Sequence, residues 1–436
     1  MKLSVIGCGY LGAVHAASMA ELGHEVVGID IDREKVNLLS DGRAPFFEPG
    51  LPEILKSVLA TGRLRFSTDL ADAKGSRVHF VAVGTPQLKG ENAADLRYVD
   101  AAIDALIPHL SDGDLVVGKS TVPVGTASRL AERIGTASGA SLAWNPEFLR
   151  EGLAVKDTIA PDRLVYGVPD GDNGARAKML LDEVYATALG NGTPVVVTDY
   201  ATAELVKVAA NAFLATKISF INAMAEIAEA TGADVTQLAD AIGFDARIGR
   251  RFLNAGLGFG GGCLPKDIRA FVARAEELGR GKSLVFLKEV DAINLRRRDR
   301  VVELVIDALG NEPYRRKVAV LGLAFKPDSD DVRDSPALDV AVRLHGLGAD
   351  VIVTDPQAIA NSRQLHPQLK FADDERDALC DAEVVVLATE WERYRKLDPV
   401  EAGLLVRRKI IVDGRNCLDA TSWRAAGWRY VGLGRP

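Results

Sequence analysis

Cysteine is scarce in this chain. Its four residues among 436, Cys8, Cys263, Cys380 and Cys417, lie far apart with no CxxC pair. That spacing fits neither a disulfide framework nor a zinc site. The six histidines form no ligand-like cluster, so no metal centre is expected. Basic excess is also missing, since 53 Lys and Arg stand against 60 Asp and Glu for a net charge of -7. Without a global positive field nucleic acid is not an expected partner, and an anionic ligand has to be held by local basic groups. No apolar stretch reaches the roughly 18 residues that mark a membrane span. The opening MKLSVIGCGY carries one lysine before a short apolar run and no cleavage site, unlike a secretory signal. The expectation is a cytoplasmic protein with reduced thiols and no membrane association. What remains is ordinary globular composition, 47% hydrophobic and 26% charged. At roughly 100–200 residues per domain the length suggests two or three domains.

The first part alternates strand and helix patterns. Strands are expected at Leu3–Ile6, Glu25–Ile29, Leu64–Ser67, Val78–Val83, Leu115–Gly118 and Leu142–Trp144, with two more at Leu164–Tyr166 and Val195–Thr198. Near-continuous apolar runs of this kind suit a parallel sheet covered on both faces. From about Asp199 to Ala230 alanines and long aliphatics dominate with no Gly or Pro. Asp199 can cap this helix and Gly232 can end it. At 1.5 Å per residue it would span roughly 45 Å, long enough for a spine between domains or a subunit contact. Alternation then resumes at Lys317–Gly322, Val351–Asp355, Val384–Ala388 and Ile410–Val412. LSVIGCGY, VVGID and VHFVAVGTP are echoed in order by VAVLGLAF, VIVTD and EVVVLATEW. The expected fold class is α/β, with two Rossmann-like doubly wound domains joined by a long central helix. Expected boundaries are 1–198 for a dinucleotide-binding domain, 199–310 for a central helical domain and 311–436 for a second Rossmann-like domain without the dinucleotide glycines.

Gly7-Cys8-Gly9-Tyr10-Leu11-Gly12 is a GxGxxG directly after the first strand and before a helix pattern. Gly7 permits the tight turn, Gly9 lets backbone approach a pyrophosphate, and Gly12 lets helix and strand pack closely. The helix N-terminus offers free N–H groups to phosphate. Asp30 closes the second strand, where an acid hydrogen-bonds a ribose 2′-hydroxyl. An acid there disfavours a 2′-phosphate, so NAD is the expected cofactor, bound by this loop from Gly7 through Tyr10 and Leu11 to Gly12. Cys8 reads as a small buried filler. Lys35 either reaches the adenosine ribose or lies on a solvated helix face.

Three later strands end in polar residues beside proline, in VGTP (83–86), KSTVP (119–123) and WNPE (144–147). Proline excludes helical geometry from the residue before it, so each strand ends in a fixed turn. Ligands bind outside the carboxyl ends of strands in such sheets, which places Thr85, Thr121 and Glu147 at the nicotinamide end; three ordinary turns are the alternative. Phe259-Gly260-Gly261-Gly262-Cys263-Leu264-Pro265-Lys266-Asp267 is the most informative segment. Its glycines allow close backbone approach to a ligand, and Lys266 favours a thiolate at Cys263. Asp267 is expected to cap the helix that follows. Lys207 and Asn211 sit four residues apart on the long helix, hence on one face, among small and apolar neighbours. A snorkelling lysine is the plain reading, but the pair can also donate to an oxyanion. A cysteine nucleophile beside an NAD site has one clear use: an aldehyde held as a thiohemiacetal gives up hydride, becomes a thioester, and water releases an acid.

Taken in order, GCGYLG, VGTP, STVPVGT, NPEFLREG, ELVKVAANAFLATKISFINA, RIGRRFL, FGGGCLPKD, GLAFKPDSDDVRDSP and DGRN resemble the UDP-glucose/GDP-mannose dehydrogenase family over nearly the whole chain. The resemblance implies two successive hydride transfers to two NAD at one site, with a nucleotide sugar as small-molecule substrate, UDP-glucose before GDP-mannose or UDP-N-acetylmannosamine. It implies that Cys263 is the catalytic cysteine, with Lys207, Asn211 and Asp267 around the reacting carbon and a water. Thr121 and Glu147 match residues of proton transfer and thioester hydrolysis. Phe148, Leu149, Arg150 and Glu151 match a segment along the sugar and nicotinamide, with Glu151 and Lys266 also at the cofactor. The resemblance further implies Phe259, Gly260, Lys326 and Arg415 at the substrate and Arg333 at the cofactor. Arg247 matches an arginine reaching a neighbouring subunit's site, which implies a homodimer built on the long helix.

Overall fold

A computed structural model describes residues Met1–Pro436. The chain forms two compact units, Met1–Ala210 with Ala273–Leu278, and Asn211–Val272 with Gly279–Pro436. The first unit carries β1 (Lys2–Ile6), β2 (Glu25–Ile29), β3 (Leu64–Ser67), β4 (Val78–Val81), β5 (Leu115–Gly118), β6 (Ser141–Trp144), β7 (Leu164–Gly167) and β8 (Val195–Thr198). The second carries β9 (Lys317–Leu321), β10 (Asp350–Thr354), β11 (Lys370–Phe371), β12 (Val384–Leu387), β13 (Ile410–Asp413) and β14 (Arg429–Gly432). Their orders are β3-β2-β1-β4-β5-β6-β7-β8 and β11-β10-β9-β12-β13-β14. Both are doubly wound α/β sheets, with the sequence reversing direction between β1 and β4 and again between β9 and β12. Pairing is parallel throughout except between β6 and β7.

Period two along the strands builds two cores in the first unit. Leu3, Val5, Val78, Phe80, Leu115 and Val117 belong to one buried cluster, and Ile6, Val81 and Val116 to the other. Each face is covered, and that is why these runs are apolar without alternation. β4 stops at Val81, two residues before the expected end; Ala82 still donates its N–H to Ile6 O, and the chain then enters the VGTP turn.

The echo between the halves of the sequence holds at atomic detail. Gly7, at φ +89°, donates its N–H to Ile29 O, and Gly322, at φ +106°, donates to Thr354 O. Asp30 after β2 accepts the Cys8 N–H, and Asp355 after β10 accepts those of Leu323 and Ala324. The two carboxylates differ in what else they hold. Asp355 also accepts from the Gln357 and Ala358 N–H groups and the Trp391 indole, five donors against about four lone-pair sites.

The long helix runs Tyr200–Thr231, beginning in the first unit and continuing into the second. Asp199 accepts the Thr202 N–H at its start, and Gly232 leaves its end at φ +74°. By length and mean hydropathy, 1.3 over 18 residues, this helix could cross a membrane, which the sequence reading had not expected; 44% of that window is buried inside the protein. Its buried Glu204 and Asn211 are both hydrogen-bonded within the chain.

A Cβ built on Gly12 would lie 1.8 Å from the Gly7 carbonyl oxygen. Gly12→Ala is therefore expected to displace the first turn and to cost about 1–3 kcal/mol, as overpacking typically does. Thermal unfolding and a dinucleotide titration on the variant should both weaken; native values in both would contradict the close approach.

Candidate active site

In the first unit the ends of β1, β4, β5 and β6 lie side by side along one sheet edge. Gly9 starts the helix Tyr10–Glu21 with no side-chain cap and no acid in the first turn, and a Cβ on it would meet nothing within 4 Å. That open, uncapped N-terminus fits the pyrophosphate of NAD. Asp30 is 8% exposed. It accepts the Cys8 and Asp32 N–H groups and, at 2.9 Å, the Lys35 ammonium. Lys35 is thus folded onto the carboxylate, neither on a solvated face nor extended. Three donors leave Asp30 about one lone-pair site for a ribose hydroxyl. Burial, reinforced by Asp30, drives the Cys8 thiol far above its usual range, in keeping with a filler.

The three proline-marked strand ends are laced together. The Thr85 hydroxyl donates to Thr121 O at 2.8 Å and the Ser120 hydroxyl to Val83 O at 2.6 Å. Lys119 donates to Asn145 Oδ1 at 2.9 Å and pairs with Glu147 Oε2 at 3.0 Å. Glu147 Oε1 accepts the N–H groups of Phe148 and Leu149. Arg150 turns away into a bidentate pair with Asp157. The half-buried Lys207 stands with Nζ 5.4 Å from the centre of the Phe148 ring.

In the second unit Cys263 is exposed, immediately before the helix Leu264–Glu277, and its carbonyl accepts the Asp267 N–H at 2.9 Å. A thiol at a helix N-terminus has its anion favoured by the free N–H groups. Asp267 is not the cap expected from sequence; it lies inside the first turn, buried, because its carboxylate is taken by Asn211 Nδ2 and by Lys266 Nζ, each at 2.7 Å. The triple glycine has a different reason from the one expected. A Cβ on Gly260 would strike Asp334 O, on Gly261 the Phe325 ring, and on Gly262 the Arg333 guanidinium. The loop lies against its own 325–336 segment, held by Gly261 N–H to Arg333 O. Phe259 is clasped at both its N–H and C=O by the Asn294 amide. Arg415 donates to the carbonyls of Ala388, Gly258 and Phe325, tying the DGR turn to both flanking loops. Lys326 stands over Phe325, and Arg333 is bidentate to Asp331. Arg247 is exposed, in a bidentate pair with Asp245.

Sequence reasoning missed four buried groups that fix these loops. Glu48 accepts the Gly152 and Ala154 N–H groups and the Tyr10 hydroxyl, holding the segment after Glu147. Glu204 accepts those of Gly125 and Ala127 after Thr121, and burial raises its pKa. Lys119 and Asn294 complete the set. Only a short apolar-flanked acid, as in PFFEPG, marked any of them in the sequence.

A glycine-cradled, acid-closed dinucleotide edge in one unit and an exposed cysteine heading a helix in the other define an NAD-dependent dehydrogenase. Family models for the UDP-glucose/GDP-mannose dehydrogenases match three successive stretches, the NAD binding domain over residues 1–189, the central domain over 201–296 and the UDP binding domain over 319–420. The chain belongs to the UDP-glucose/GDP-mannose dehydrogenase family. It is 43% identical to a UDP-glucose 6-dehydrogenase of Rhizobium meliloti over 100% of both chains, and 40% identical to one of Bacillus subtilis over 100% of this chain and 93% of the relative. Among solved structures it resembles a UDP-glucose dehydrogenase of the archaeon Pyrobaculum islandicum, with TM-score 0.90, 40% identity and coverage of 100% and 98%. It also resembles a UDP-D-ManNAc dehydrogenase of Pyrococcus horikoshii, with TM-score 0.86, 28% identity and coverage of 100% and 99%.

With Asp30 buried and nearly saturated, a 2′-phosphate would face a carboxylate that cannot turn away. The kcat/KM for NAD is expected to exceed that for NADP by about 10-fold or more, a difference of about 1.4 kcal/mol, in initial-rate measurements. Equal values for the two cofactors would remove the role given to Asp30.

Proposed function

We propose that the chain oxidises the C6 primary alcohol of UDP-glucose to the carboxylate of UDP-glucuronate, with two NAD consumed per sugar. The observation that carries this reading is Cys263, an exposed thiol at the head of the helix whose first turn carries Lys266 and Asp267, with Asp267 bonded to Asn211. Bound NAD supplies the hydride acceptor at each of the two oxidations. The chain's own groups supply the rest. Glu147 and Thr121 take the proton leaving the C6 hydroxyl as the aldehyde forms. The Cys263 sulfur adds to the aldehyde carbon, and its proton passes to solvent or to the new oxyanion. Lys207 and the second N–H of Asn211, the one not donated to Asp267, hold that oxygen while it bears charge. Loss of the second hydride leaves a thioester on Cys263. Glu147 takes a proton from water, the water oxygen bonds to the acyl carbon, and the C–S bond breaks to return the thiol and release the acid.

The division into 1–198, 199–310 and 311–436 assigns cofactor, cysteine loop and nucleotide sugar in turn. Phe148, Leu149, Glu151, Phe259, Gly260, Lys326 and Arg415 hold the sugar nucleotide in this reading, and Arg333 the cofactor. A reactive thiol suits the reducing cytoplasm. The long helix is read as a homodimer contact because Phe213, Phe220 and Ile227, seven residues apart, form an exposed apolar row, and Arg247 reaches the partner's site.

A panel of nucleotide sugars with NAD, followed for NADH and product, tests the reading: two NADH per UDP-glucose support it, while one NADH or a preference for GDP-mannose overturns it. Cys263→Ser is expected to bind both ligands and to lose turnover, because a serine hydroxyl is a far weaker nucleophile; more than a few per cent of the parent rate would rule out covalent catalysis. Lys207→Ala should lower kcat by ~10²–10³, with Asn211→Ala less severe. Their double variant should lose less than the product of the two losses. A folded Lys207→Ala protein with normal kcat would make that lysine a solvent-directed side chain.

A further inference from the structure

Lys119 has no role in the reading above, yet it is the most deeply buried ammonium in the first unit, 3% exposed. It follows β5 directly, at the sheet edge where the cofactor loop and Thr121 lie. Its Nζ meets Glu147 Oε2 at 3.0 Å, Asn145 Oδ1 at 2.9 Å and the Tyr185 hydroxyl at 3.2 Å. Three acceptors match its three N–H donors. Asn145 is itself fixed, accepting from the Tyr185 hydroxyl at 2.7 Å and donating to Val165 O at 2.9 Å. The lysine therefore has one place to point, and Glu147 lies there.

The surroundings give the ammonium no second anion at contact distance. From the helix Tyr10–Glu21 comes His15, fully buried with neither ring nitrogen hydrogen-bonded. From β4 comes the Phe80 ring, 5.9 Å from Nζ. Asp157, Asp162 and Arg163 line a cavity of about 30 Å³ together with Lys119 and Glu147, and Asp157 is committed to Arg150. Burial pulls the Lys119 pKa down, but the charge and hydrogen bonds of Glu147 and Tyr185 reverse this and the net direction is up. His15 is pushed the other way, by burial first and then by Lys119, so it stays neutral and adds no competing charge. Burying this cation is offset only by its partners' geometry, and removing one of them leaves an uncompensated charge.

We propose that Lys119 is a positioning residue for Glu147, holding one carboxylate oxygen in place so that the group is aimed to take a proton from water at the thioester. The backbone N–H groups of Phe148 and Leu149 hold the other oxygen, so the carboxylate is gripped at both ends. This rests on the proton-transfer role given to Glu147, and the two can fail separately.

The test is the split between kcat and KM with UDP-glucose and NAD in four proteins: the parent chain, Glu147→Gln, Lys119→Met and the double variant. Folded Lys119→Met is expected to lose about 10-fold or more in kcat with KM for both ligands little changed, as when an interaction made only in the transition state is removed. Glu147→Gln should lose most of kcat. The double variant carries no unpaired buried charge and should fold even if Lys119→Met does not. Its kcat should stay within about twofold of Glu147→Gln, because a residue acting through Glu147 has nothing left to act on. Parental kcat in folded Lys119→Met, or a double variant about 10-fold or more below Glu147→Gln, overturns the role of Lys119 alone. A Glu147→Gln protein with parental kcat overturns the role of Glu147 and this inference with it.

Discussion

Loops at strand ends expose backbone N–H groups that no ladder satisfies, and burying them unpaired costs free energy comparable to a lost hydrogen bond. In this chain buried or half-buried carboxylates accept them at several of these loops. Asp30 takes the N–H of Cys8, Glu48 those of Gly152 and Ala154, Glu204 those of Gly125 and Ala127, and Glu147 those of Phe148 and Leu149. Asp355 and Asp413 do the same in the second unit. A charged acceptor makes such bonds shorter and roughly twice as strong as neutral ones. The loops after Thr121 and Glu147 are therefore held by carboxylates from distant parts of the chain, and the Arg415 turn by its own Asp413. Glycine fixes the close approaches, at Gly12 against Gly7 and at Gly260 to Gly262 against the 325–336 segment.

What could be read from sequence was local. GxGxxG after an apolar strand, an acid closing the next strand and a glycine-rich cysteine loop each announce themselves within about ten residues. So does the spine helix, by its length and its lack of Gly and Pro. The echo between halves was legible because two copies of one strand order repeat their turns in phase. What could not be read was non-local. Glu48 meets Gly152 across 104 residues and Glu204 meets Gly125 across 79, and no periodicity links such pairs. Lys119 stood in view inside KSTVP, but a lysine beside a strand end reads as solvated until its partners are known. Asp267 was misplaced as a cap for the same reason, since its competitors Asn211 and Lys266 outbid the backbone only once the fold brings Asn211 to it.

The saturation of Asp355 bears on how the two halves can diverge. A carboxylate with a lone pair to spare can be addressed by an incoming hydroxyl, as Asp30 can; one that already holds five donors cannot. Grafting the GxGxxG loop onto the turn after β9 would thus not create a second cofactor pocket, because the acid that ought to recognise the ribose is occupied by Leu323, Ala324, Gln357, Ala358 and the Trp391 indole. Removing the indole would still leave four backbone donors on about four lone-pair sites, so the turn itself would have to change before any glycine mattered. The two sheets share a strand order, but the acid at the second turn is already filled.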